Sequence, residues 1–296
     1  MNTFYLLSFY VAAWLFSTPV LATDVVRYNI SQQYNDPKQD YYIALLRMAL
    51  NKSRERYGPY QLFENSFDHT PQGRTLDLVE RGKLLDVHWS MTSKQREKQL
   101  GTVYVPLLKG MMGARLLLVR EDTLDKLELI DSAAQLTNFT LGSGSDWPDT
   151  AIYEANGFVV TTSNASTLPK MFQQRRFDLF PRALHEPWTE LSGYQKVTVA
   201  PRFALCYPAA MYFFVTKQNT RLKERLEYGL NQAIDDGSFD QLYFSHPISK
   251  TAIDKAQFST RKTLKLHNPN LTSHTRDILF DARYTWKPIH QCIAPH

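Results

Sequence analysis

Residues 86–97 read DVHWSMTSKQRE, and this stretch decides the fold. Its apolar run up to Met91 predicts a buried β-strand that stops at Thr92 and Ser93. Ser93 has a side chain suited to an N-cap, so the charged residues after it predict a helix with Arg96 in its first turn. A strand that leads directly into a helix is the repeating unit of an α/β sheet.

Strand and helix patterns alternate on both sides of this stretch. DVVRYNI (24–30) and YQLFEN (60–65) are strand-like, and amphipathic helices begin near Pro37 and Thr70. After residue 97, two apolar strands follow in close succession, and the rhythm then restarts. The later strand and helix patterns are VYVPLLKG (103–110), ARLLLVRE (114–121), the β-α-β-α-β run over 139–184, KVTVAP (196–201), AAMYFFVTK (209–217) and a long helix from Asn219.

This order predicts an α/β protein of two lobes, each a mostly parallel sheet flanked by helices. Two crossing segments would form the hinge. We expect residues 23–117 and 211–296 in the first lobe, with 248–296 as a C-terminal extension, and 118–210 in the second. Ligands of open α/β sheets bind beyond the carboxyl ends of the strands, so the cleft between the lobes is the expected site.

The composition narrows the functional classes. A hydrophobic content of 43% and a charged content of 21% are ordinary for a globular protein. The formal net charge of +5 comes from lysines and arginines scattered among acids. Nucleic-acid binders carry dense basic runs instead, so no nucleic-acid partner is expected.

The chain begins with an uncharged apolar stretch, residues 4–21, that ends in Val20-Leu21-Ala22. This pattern predicts a signal peptide over residues 1–22, cleaved after Ala22, and therefore an exported, periplasmic protein. An uncleaved membrane anchor is the alternative. In an oxidising compartment, Cys206 and Cys292 predict one disulfide, with two buried thiols as the alternative.

Several motifs together resemble the periplasmic solute-binding proteins of family 3, which have the type II fold and serve amino-acid uptake. In GKLLDVHWSMTSKQRE (82–97), the matching residues are Gly82, Asp86, Met91, Thr92 and Arg96, and Ser93 stands for a second threonine. LPKMFQQRRFDLF (168–180) matches at Arg176 and Asp178, and 221–247 is similar to the C-terminal helix pair. The resemblance covers roughly residues 24–247.

The resemblance implies that Arg96 pairs with a ligand carboxylate, which suits a guanidinium beside a helix N-terminus. Thr92 or Ser93 would add a hydroxyl donor, and Ser145 would contact the same carboxylate from the second lobe. Asp146 is expected to hold an amine or to cap a helix, and Tyr34 or Trp89 to form an aromatic wall. A solvated arginine on a charged helix is the plainer alternative for Arg96.

One departure bears on the ligand. The family's acid for the ammonium group of an amino acid would fall at Ala183. Glu186 is the nearest substitute, and Arg182 is positioned to select a second negative group instead. The expected partners are therefore a small solute, bound by these residues, and a membrane permease or sensor protein. The protein itself is expected to be a monomer.

The sequence predicts binding rather than catalysis. The histidines show no metal-type spacing and two cysteines make no zinc set, so no metal or cofactor is expected. His185-Glu186 beside Arg182 is the one cluster suited to acid–base work. A ligand-sensing or interaction module of the same fold is the first alternative, and a dehydratase-like enzyme the second.

Overall fold

The computed structural model describes residues 23–30, 37–67, 70–287 and 290. The predicted signal peptide, Tyr34 and Cys292 lie outside these residues. In the described part, the helices are α1 (Pro37–Lys52), α2 (Arg54–Tyr57), α3 (Gln72–Arg81), α4 (Lys94–Gln99), α5 (Glu121–Glu128), α6 (Pro148–Ala155), α7 (Leu168–Gln173), α8 (Pro187–Glu190), α9 (Thr220–Asp235), α10 (Ser238–Ser245), α11 (Pro247–Ala256) and α12 (Ser273–Phe280). The strands are β1 (Asp24–Ile30), β2 (Tyr60–Ser66), β3 (Val87–Met91), β4 (Gly101–Val103), β5 (Ala114–Arg120), β6 (Leu141–Gly144), β7 (Val160–Ser163), β8 (Leu179–Ala183), β9 (Val197–Cys206), β10 (Met211–Val215) and β11 (Lys262–Lys265).

Lobe 1, named here for the sheets of β1 to β4 and β10 with their helices, is built around the opening motif. β1 and β2 pair in parallel, and β10 lies between β3 and β4, antiparallel to both. The Asp86 N–H, just before β3, donates to Arg27 O of β1 at 2.8 Å, which sets the two sheets side by side. The Asp86 carboxylate also accepts two hydrogen bonds from the Arg27 guanidinium, each of 2.8 Å. This motif residue is therefore structural.

The long helices α1 and α9 cover lobe 1. Asn219 caps α9, because its side chain accepts from Leu222 N at 3.1 Å. Leu222, Leu226 and Leu230 recur every four residues and are all buried. The two helices cross closely at Gly229, where a Cβ would lie 1.9 Å from Ala49 O.

Lobe 2, named for the other sheet and its helices, has six strands in the order β11-β9-β5-β8-β6-β7. β6 pairs in parallel with β7 and β8, while β5 is antiparallel to β8 and β9. The two-lobed α/β prediction is confirmed, but the lobes are not mostly parallel: lobe 1 combines a parallel sheet with an antiparallel one, and the sheet of lobe 2 is mixed. The antiparallel pairs arise because the chain crosses back between the lobes and returns in the opposite direction.

Two details differ from the sequence-based prediction. Of the predicted strand over 103–110, only Val103 is in a strand, because Val105 N turns back to Val103 O at 2.8 Å and Pro106 has no N–H to pair. The predicted boundary after residue 117 falls inside β5, which pairs along its length with strands of lobe 2.

Beyond the helix pair, the chain continues over both lobes. β11, expected in the first lobe, pairs in parallel with β9 of lobe 2. Next, His267 and Asn156, the residue directly after α6, exchange two hydrogen bonds of 2.8 and 2.9 Å. Lys94 N then donates to Asn270 O at 2.9 Å, and α12 lies on lobe 1. We call residues 262–280 the strap, because they join the two lobes.

A half-buried carboxylate fixes the end of the strap. Glu97 of α4 accepts hydrogen bonds from the hydroxyls of Thr92 (2.6 Å), Thr275 (2.7 Å), Thr272 (2.8 Å) and Tyr104 (3.2 Å). Two of these four donors belong to the strap, so Glu97 anchors it to lobe 1. Separately, no helix in the described part of the chain is both long and apolar enough to cross a bilayer.

Candidate ligand-binding cleft

The main cleft lies between the lobes and has a volume of about 500 Å³. Lobe 1 contributes Tyr42 from α1 and His88 and Trp89 from β3, and lobe 2 contributes Arg182 from β8 and His185 just after it. Because β3 and β8 both end here, the cleft is where the two-lobed prediction places a ligand. Its volume suits a small molecule.

A second cleft of about 430 Å³ also lies between the lobes. Ser93 and Arg96 line it from lobe 1, and Ser145 and Asp146 from lobe 2. The motif residues that the resemblance links to a carboxylate therefore gather in this second cleft. Asp146 alone among them lines both clefts.

Arg96 lies in a cradle of oxygen acceptors. Ser93 caps α4 by accepting from Arg96 N at 3.2 Å, which confirms the predicted N-cap. The guanidinium donates to Ser90 Oγ and to Met91 O, both at 2.7 Å, and across the lobes to Asp146 O at 2.9 Å. Burial lowers the pKa of Arg96 to about 10, with Asp146 and Asp149 opposing that shift. In this conformation its Nη groups are bound to the protein itself.

Further contacts hold the lobes together. Gly73 N, at the start of α3, donates to Asp146 Oδ2 at 2.7 Å. Lys38 of α1 pairs with Glu190 of α8 at 3.0 Å. With the Arg96 bond, these contacts join lobe 1 to lobe 2 directly, so the structure is a closed form of the molecule.

An ion-pair network forms part of the lobe 2 wall of the main cleft. Arg182 makes two bonds of 2.7 Å to Glu190 and approaches Glu186 at 3.2 Å. Glu186 Oε2 accepts from Ala183 N at 2.7 Å. Burial opposes ionisation of Glu186, but Arg182 and Lys38 outweigh it and lower its pKa. Glu186 is thus a paired carboxylate beside the position of the missing ammonium-binding acid.

A second buried pair lies where β5 meets α6. Arg115 and Asp149 are 2.5 Å apart, and the side chains of both are nearly inaccessible to solvent. Tyr207 accepts from Arg115 Nε at 2.6 Å and donates to Asp149. Burial alone would lower the pKa of Arg115, yet Asp149 and Tyr207 raise it above its ordinary value. Arg115 therefore stays charged, and its bonds to Asp149 and Tyr207 fix its position.

Aromatic rings and histidines form the remaining walls. Trp89 stacks between His88 and Tyr42, with ring centroids 5.1 and 5.2 Å apart. His88 and His185 each have an Nδ1 that is buried and has no hydrogen-bond partner in the described part of the protein. Burial lowers the pKa of His88 to about 3 and that of His185 to about 4. Both imidazoles are therefore neutral at pH 7.

The predicted site residues separate into groups. Trp89, Arg182 and Glu186 line the main cleft together with Asp146. Ser93, Arg96 and Ser145 line the second cleft. The Thr92 hydroxyl lies outside this group, because it donates its hydrogen bond to Glu97. Tyr34 lies outside the described residues, so its role stays a prediction.

Sequence reasoning missed some lining residues. Arg115 was treated only as part of an apolar strand, although a charge inside ARLLLVRE signals a buried partner. Asp149 stands in the first turn of α6, where an acid is expected on local grounds alone. Cys206 is fully buried at the end of β9, and its predicted partner Cys292 is not among the described residues, so the disulfide stays a prediction.

Comparison with solved structures places the architecture. An ancestral arginine-binding protein bound to arginine matches with a TM-score of 0.53 and 16% identity, over 76% of this chain and 98% of that one. The fold is that of the two-lobed binding proteins. A periplasmic binding protein of Salmonella typhimurium with high arginine specificity matches with a TM-score of 0.56 and 10% identity, over 74% and 97%.

A further neighbour with this binding-protein fold is a putative L-cystine ABC transporter from Listeria monocytogenes, with a TM-score of 0.52 and 18% identity, over 77% and 98%. No protein-family model matches the sequence, and neither does any curated protein. At these identities the likeness establishes the fold. At the level of the fold, it confirms the resemblance predicted from the motifs. These neighbours leave about a quarter of this chain uncovered.

Proposed function

We propose that this protein is an exported solute-binding protein that encloses a small, carboxylate-bearing polar solute, such as an amino acid, for uptake by an ABC-type permease. The main cleft carries the proposal: it is closed between two lobes and lined by polar groups from both. The neighbours with this fold include proteins bound to arginine and to glutamine. Their role as binding proteins supports binding rather than catalysis here.

The proposed cycle is opening and closing of the cleft. In the closed form, Lys38, Gly73 and Arg96 of lobe 1 contact Glu190 and Asp146 of lobe 2. A solute that touches both lobes adds to these contacts only when the lobes are closed, and so it favours the closed state. A membrane partner that binds the closed state would then detect occupancy.

Arg96 is the proposed carboxylate partner, following the resemblance. Because Arg96 lines the second cleft, the solute's carboxylate would extend from the main cleft past Asp146, which lines both clefts, into the second. Its Nη2 donates across the lobes to the carbonyl oxygen of Asp146. A solute carboxylate beside Ser145 would replace this carbonyl as the acceptor. We expect Arg96→Ala to weaken solute binding by at least about 2 kcal/mol, because a buried charge-assisted hydrogen bond is lost. Titration calorimetry measures this, with Lys94→Ala on the exposed face of α4 as the control. Equal affinities for wild type and Arg96→Ala would remove Arg96 from the site.

The test of the function is a thermal-shift screen of the purified mature protein. The panel contains amino acids, dicarboxylates, sugars and short peptides. A ligand at a hundredfold its Kd adds about 2.7 kcal/mol to the free energy of unfolding, which clearly raises the melting temperature. Calorimetry then confirms each hit. If no compound of the panel raises the melting temperature, the solute-binding proposal fails.

A ligand-sensing or interaction module is the second candidate, and the strap favours it, because contacts of residues 262–280 to both lobes oppose the opening that transport needs. Deletion of the gene separates the two: loss of uptake of the bound solute supports transport, and unchanged uptake supports sensing. The dehydratase-like alternative requires that the solute is converted to a product that has lost water. Mass spectrometry of a solute incubated with the protein tests this.

Export and the disulfide complete the proposal. Cleavage after Ala22 predicts that the mature protein begins at Thr23, which N-terminal sequencing of the periplasmic fraction checks. A bridge between Cys206 and Cys292 predicts that alkylation adds no mass without a reductant and two adducts with one. Cytoplasmic retention or alkylation without reductant would contradict these two points.

A further inference from the structure

β2 is the longest outermost strand in the described sheets. It has seven residues and pairs on one side with β1, whose other side bonds to Asp86. The other outermost strands, β4, β7 and β11, have three or four residues each. Proteins usually protect a long edge with proline, lysine, a bulge or a covering segment, because free backbone groups there pair with other chains. β2 contains neither proline nor lysine, and Glu64 is its one charged residue.

The register shows which backbone groups of β2 are free. Asp24 N of β1 donates to Pro59 O, just before β2, at 3.1 Å. Because the backbone groups of successive strand residues point to alternate sides, the odd-numbered residues of β2 also bond to β1. The even-numbered residues, Tyr60, Leu62, Glu64 and Ser66, face outward. No other described residue bonds to their backbone N–H and C=O groups, so this edge presents a row of free donors and acceptors.

An exposed apolar group lies beside the edge. Val25 of β1, Phe63 of β2 and Leu84, just before β3, each have 50% of their surface exposed. Val25 is in register with Gln61, so its side chain shares a face of the sheet with Phe63, two residues further along β2. Asn65 lies on the same face and donates to Leu84 O at 3.1 Å. Apolar side chains that are exposed as a group, rather than singly, mark an interaction surface.

The sequence of β2 is complementary to itself. All seven residues overlap when two copies pair antiparallel with Phe63 opposite Phe63. Leu62 then faces Glu64, and since both have outward backbone groups, they exchange backbone hydrogen bonds. The two Phe63 side chains fall on a non-hydrogen-bonded pair, where side chains approach most closely, and aromatic pairs stabilise such positions. Glu64 faces an apolar residue, so no like charges meet.

We propose that β2 is a docking surface for a second copy of this chain, and that the two lobe 1 sheets join edge to edge about a twofold axis at Phe63. The second copy is the occupant because the strand supplies its own matching partner, and a contact of this isologous kind closes at two subunits. The proposal goes beyond the proposed function and does not depend on it. It replaces the monomer expected from the sequence.

Pairing of this kind leaves the clefts accessible. Phe67, which follows β2 directly, lines the main cleft, so the carboxyl end of the strand leads to the site. In an antiparallel pair the two carboxyl ends point in opposite directions, and the two clefts therefore lie at opposite ends of the dimer. A contact of one strand from each copy is smaller than the roughly 1,600 Å² of a standard interface, so the dimer should be weak.

Sedimentation velocity from about 5 to about 500 µM covers the range of association expected of a small interface. We expect the wild type to change from monomer to dimer over this range. Glu64→Pro and Glu64→Ala form a matched pair: both remove the carboxylate that accepts from Tyr28, but only proline removes the outward N–H. Proline should weaken association at least about tenfold and alanine no more than about threefold, since the bonds of β2 to β1 remain in both.

Two results would overturn the proposal. One is a wild type that stays monomeric at the highest concentration, which would leave the edge to an extended segment of another protein. The other is a Glu64→Pro variant that dimerises as strongly as Glu64→Ala, which would place the contact elsewhere.

A cross-link keeps the proposal testable if Glu64→Pro does not fold. In a non-hydrogen-bonded antiparallel pair the Cα atoms are about 4.5 Å apart, within the reach of a disulfide. Phe63→Cys should therefore form a covalent dimer under mild oxidation, and the wild type should not. Val25→Cys is the control, because Val25 is equally exposed but lies on β1, away from the axis. Equal cross-linking of the two variants, or none in Phe63→Cys, would overturn the proposal.

Discussion

At the scale of single residues, the buried pair of Arg115 and Asp149 is the most demanding feature of the molecule. The two side chains have 4% and 6% of their surface exposed, so each depends on the other for compensation. Tyr207 bonds both of them and cannot replace either charge. The pair also fixes the wall of the main cleft, because Arg115 and Asp149 both line it.

Removing one charge of this pair should be severe. We expect Asp149→Asn to lower the free energy of unfolding by about 3 kcal/mol, since it leaves Arg115 buried with Glu186, 3.8 Å away, as its nearest remaining acid. Urea unfolding measures the loss. Asp125→Asn, on an exposed position of α5, is the matched control and should change stability by less than about 0.5 kcal/mol. A similar small effect for both variants would contradict the prediction.

His185 predicts a pH dependence of stability. Its pKa falls from 6.5 to about 4 on folding, so between these values the unfolded chain binds the proton more readily. Stability is complete above pH 6.5 and declines as the pH falls towards 4. The stabilisation from Glu186, whose pKa is lowered from 4.5, is lost only below pH 4.5, so the range from 6.5 to 4.5 isolates the histidines.

In that range we expect His185 to account for about 2 kcal/mol of lost stability, and His88 to act in the same direction. Urea unfolding at pH 6.5, 5.5 and 4.5 measures the loss. The difference between wild type and His185→Asn should shrink as the pH falls, whereas His274→Ala should follow wild type throughout. A constant difference between wild type and His185→Asn would show that His185 titrates normally in the folded state.

The sequence predicted residue types better than residue partners. Ser93 was identified as an N-cap because a cap bonds only three residues ahead, within its own helix. The acceptors of Arg96 include Asp146 O, fifty positions away and on another lobe, and local patterns contain no such information. For the same reason Glu186 appeared as a substitute acid, although its carboxylate is held by Ala183 N and Arg182.

At the scale of elements, the crossing of α1 and α9 depends on one glycine. Gly229 allows the helices to approach until a Cβ would lie 1.9 Å from Ala49 O, which is backbone and cannot rotate away. Neither helix pattern alone indicates this, because each is amphipathic in its own right. The element was predictable from the sequence, but its distance from a neighbour was not.

Gly229→Ala should therefore separate the helices. The expected cost is about 1 to 3 kcal/mol, since overpacking forces a backbone shift that outweighs the better helix propensity of alanine. Chemical unfolding measures it. Gly193→Ala is the control, because nothing lies within 4 Å of its Cβ position. If Gly229→Ala were as stable as wild type, the close crossing would be wrong.

The strap is the element that sequence reasoning described least. Its strand and helix are short, so their periodicity is weak, and they are held by contacts distant in sequence, such as Glu97 with Thr275. An amphipathic pattern shows that a segment is folded but not which lobe it joins. The extension was accordingly expected on the first lobe, whereas β11 pairs with β9 of the second.

Glu97→Gln should loosen the strap. The amide nitrogen of glutamine cannot accept a hydrogen bond, so about half of the four hydroxyl donors lose their acceptor. We expect amide hydrogen exchange over residues 266–280 to rise at least tenfold, with little change in β6 or β8. Glu224→Gln, on an exposed position of α9, should exchange like wild type. Equal exchange in the two variants would show that Glu97 does not anchor the strap.

At the scale of the whole molecule, the number of connections decides how the lobes move. The sequence predicted two crossing segments, and the structure has them at 104–113 and 207–210. Within the described residues the chain crosses between the lobes twice more. The first crossing is 247–261, where α11 contacts both α1 and α8. The second is 266–272, where the strap returns to lobe 1. Asn268 also donates to Pro208 O in the hinge at 2.8 Å. Four crossings constrain a hinge rotation more than two.

This connectivity predicts that the closed form is already the more populated one without a solute, and that a bound solute increases its population further. Small-angle X-ray scattering of the ligand-free wild type should fit the closed form, because opening requires the strap to leave Glu97 or Asn156. The double variant Glu97→Gln, Asn268→Ala removes the anchor in lobe 1 and the bond to the hinge, so its radius of gyration should rise. Glu224→Gln should scatter like wild type. If the wild type were already as expanded as the double variant, the strap would not restrain the lobes, and closure would depend on the solute alone.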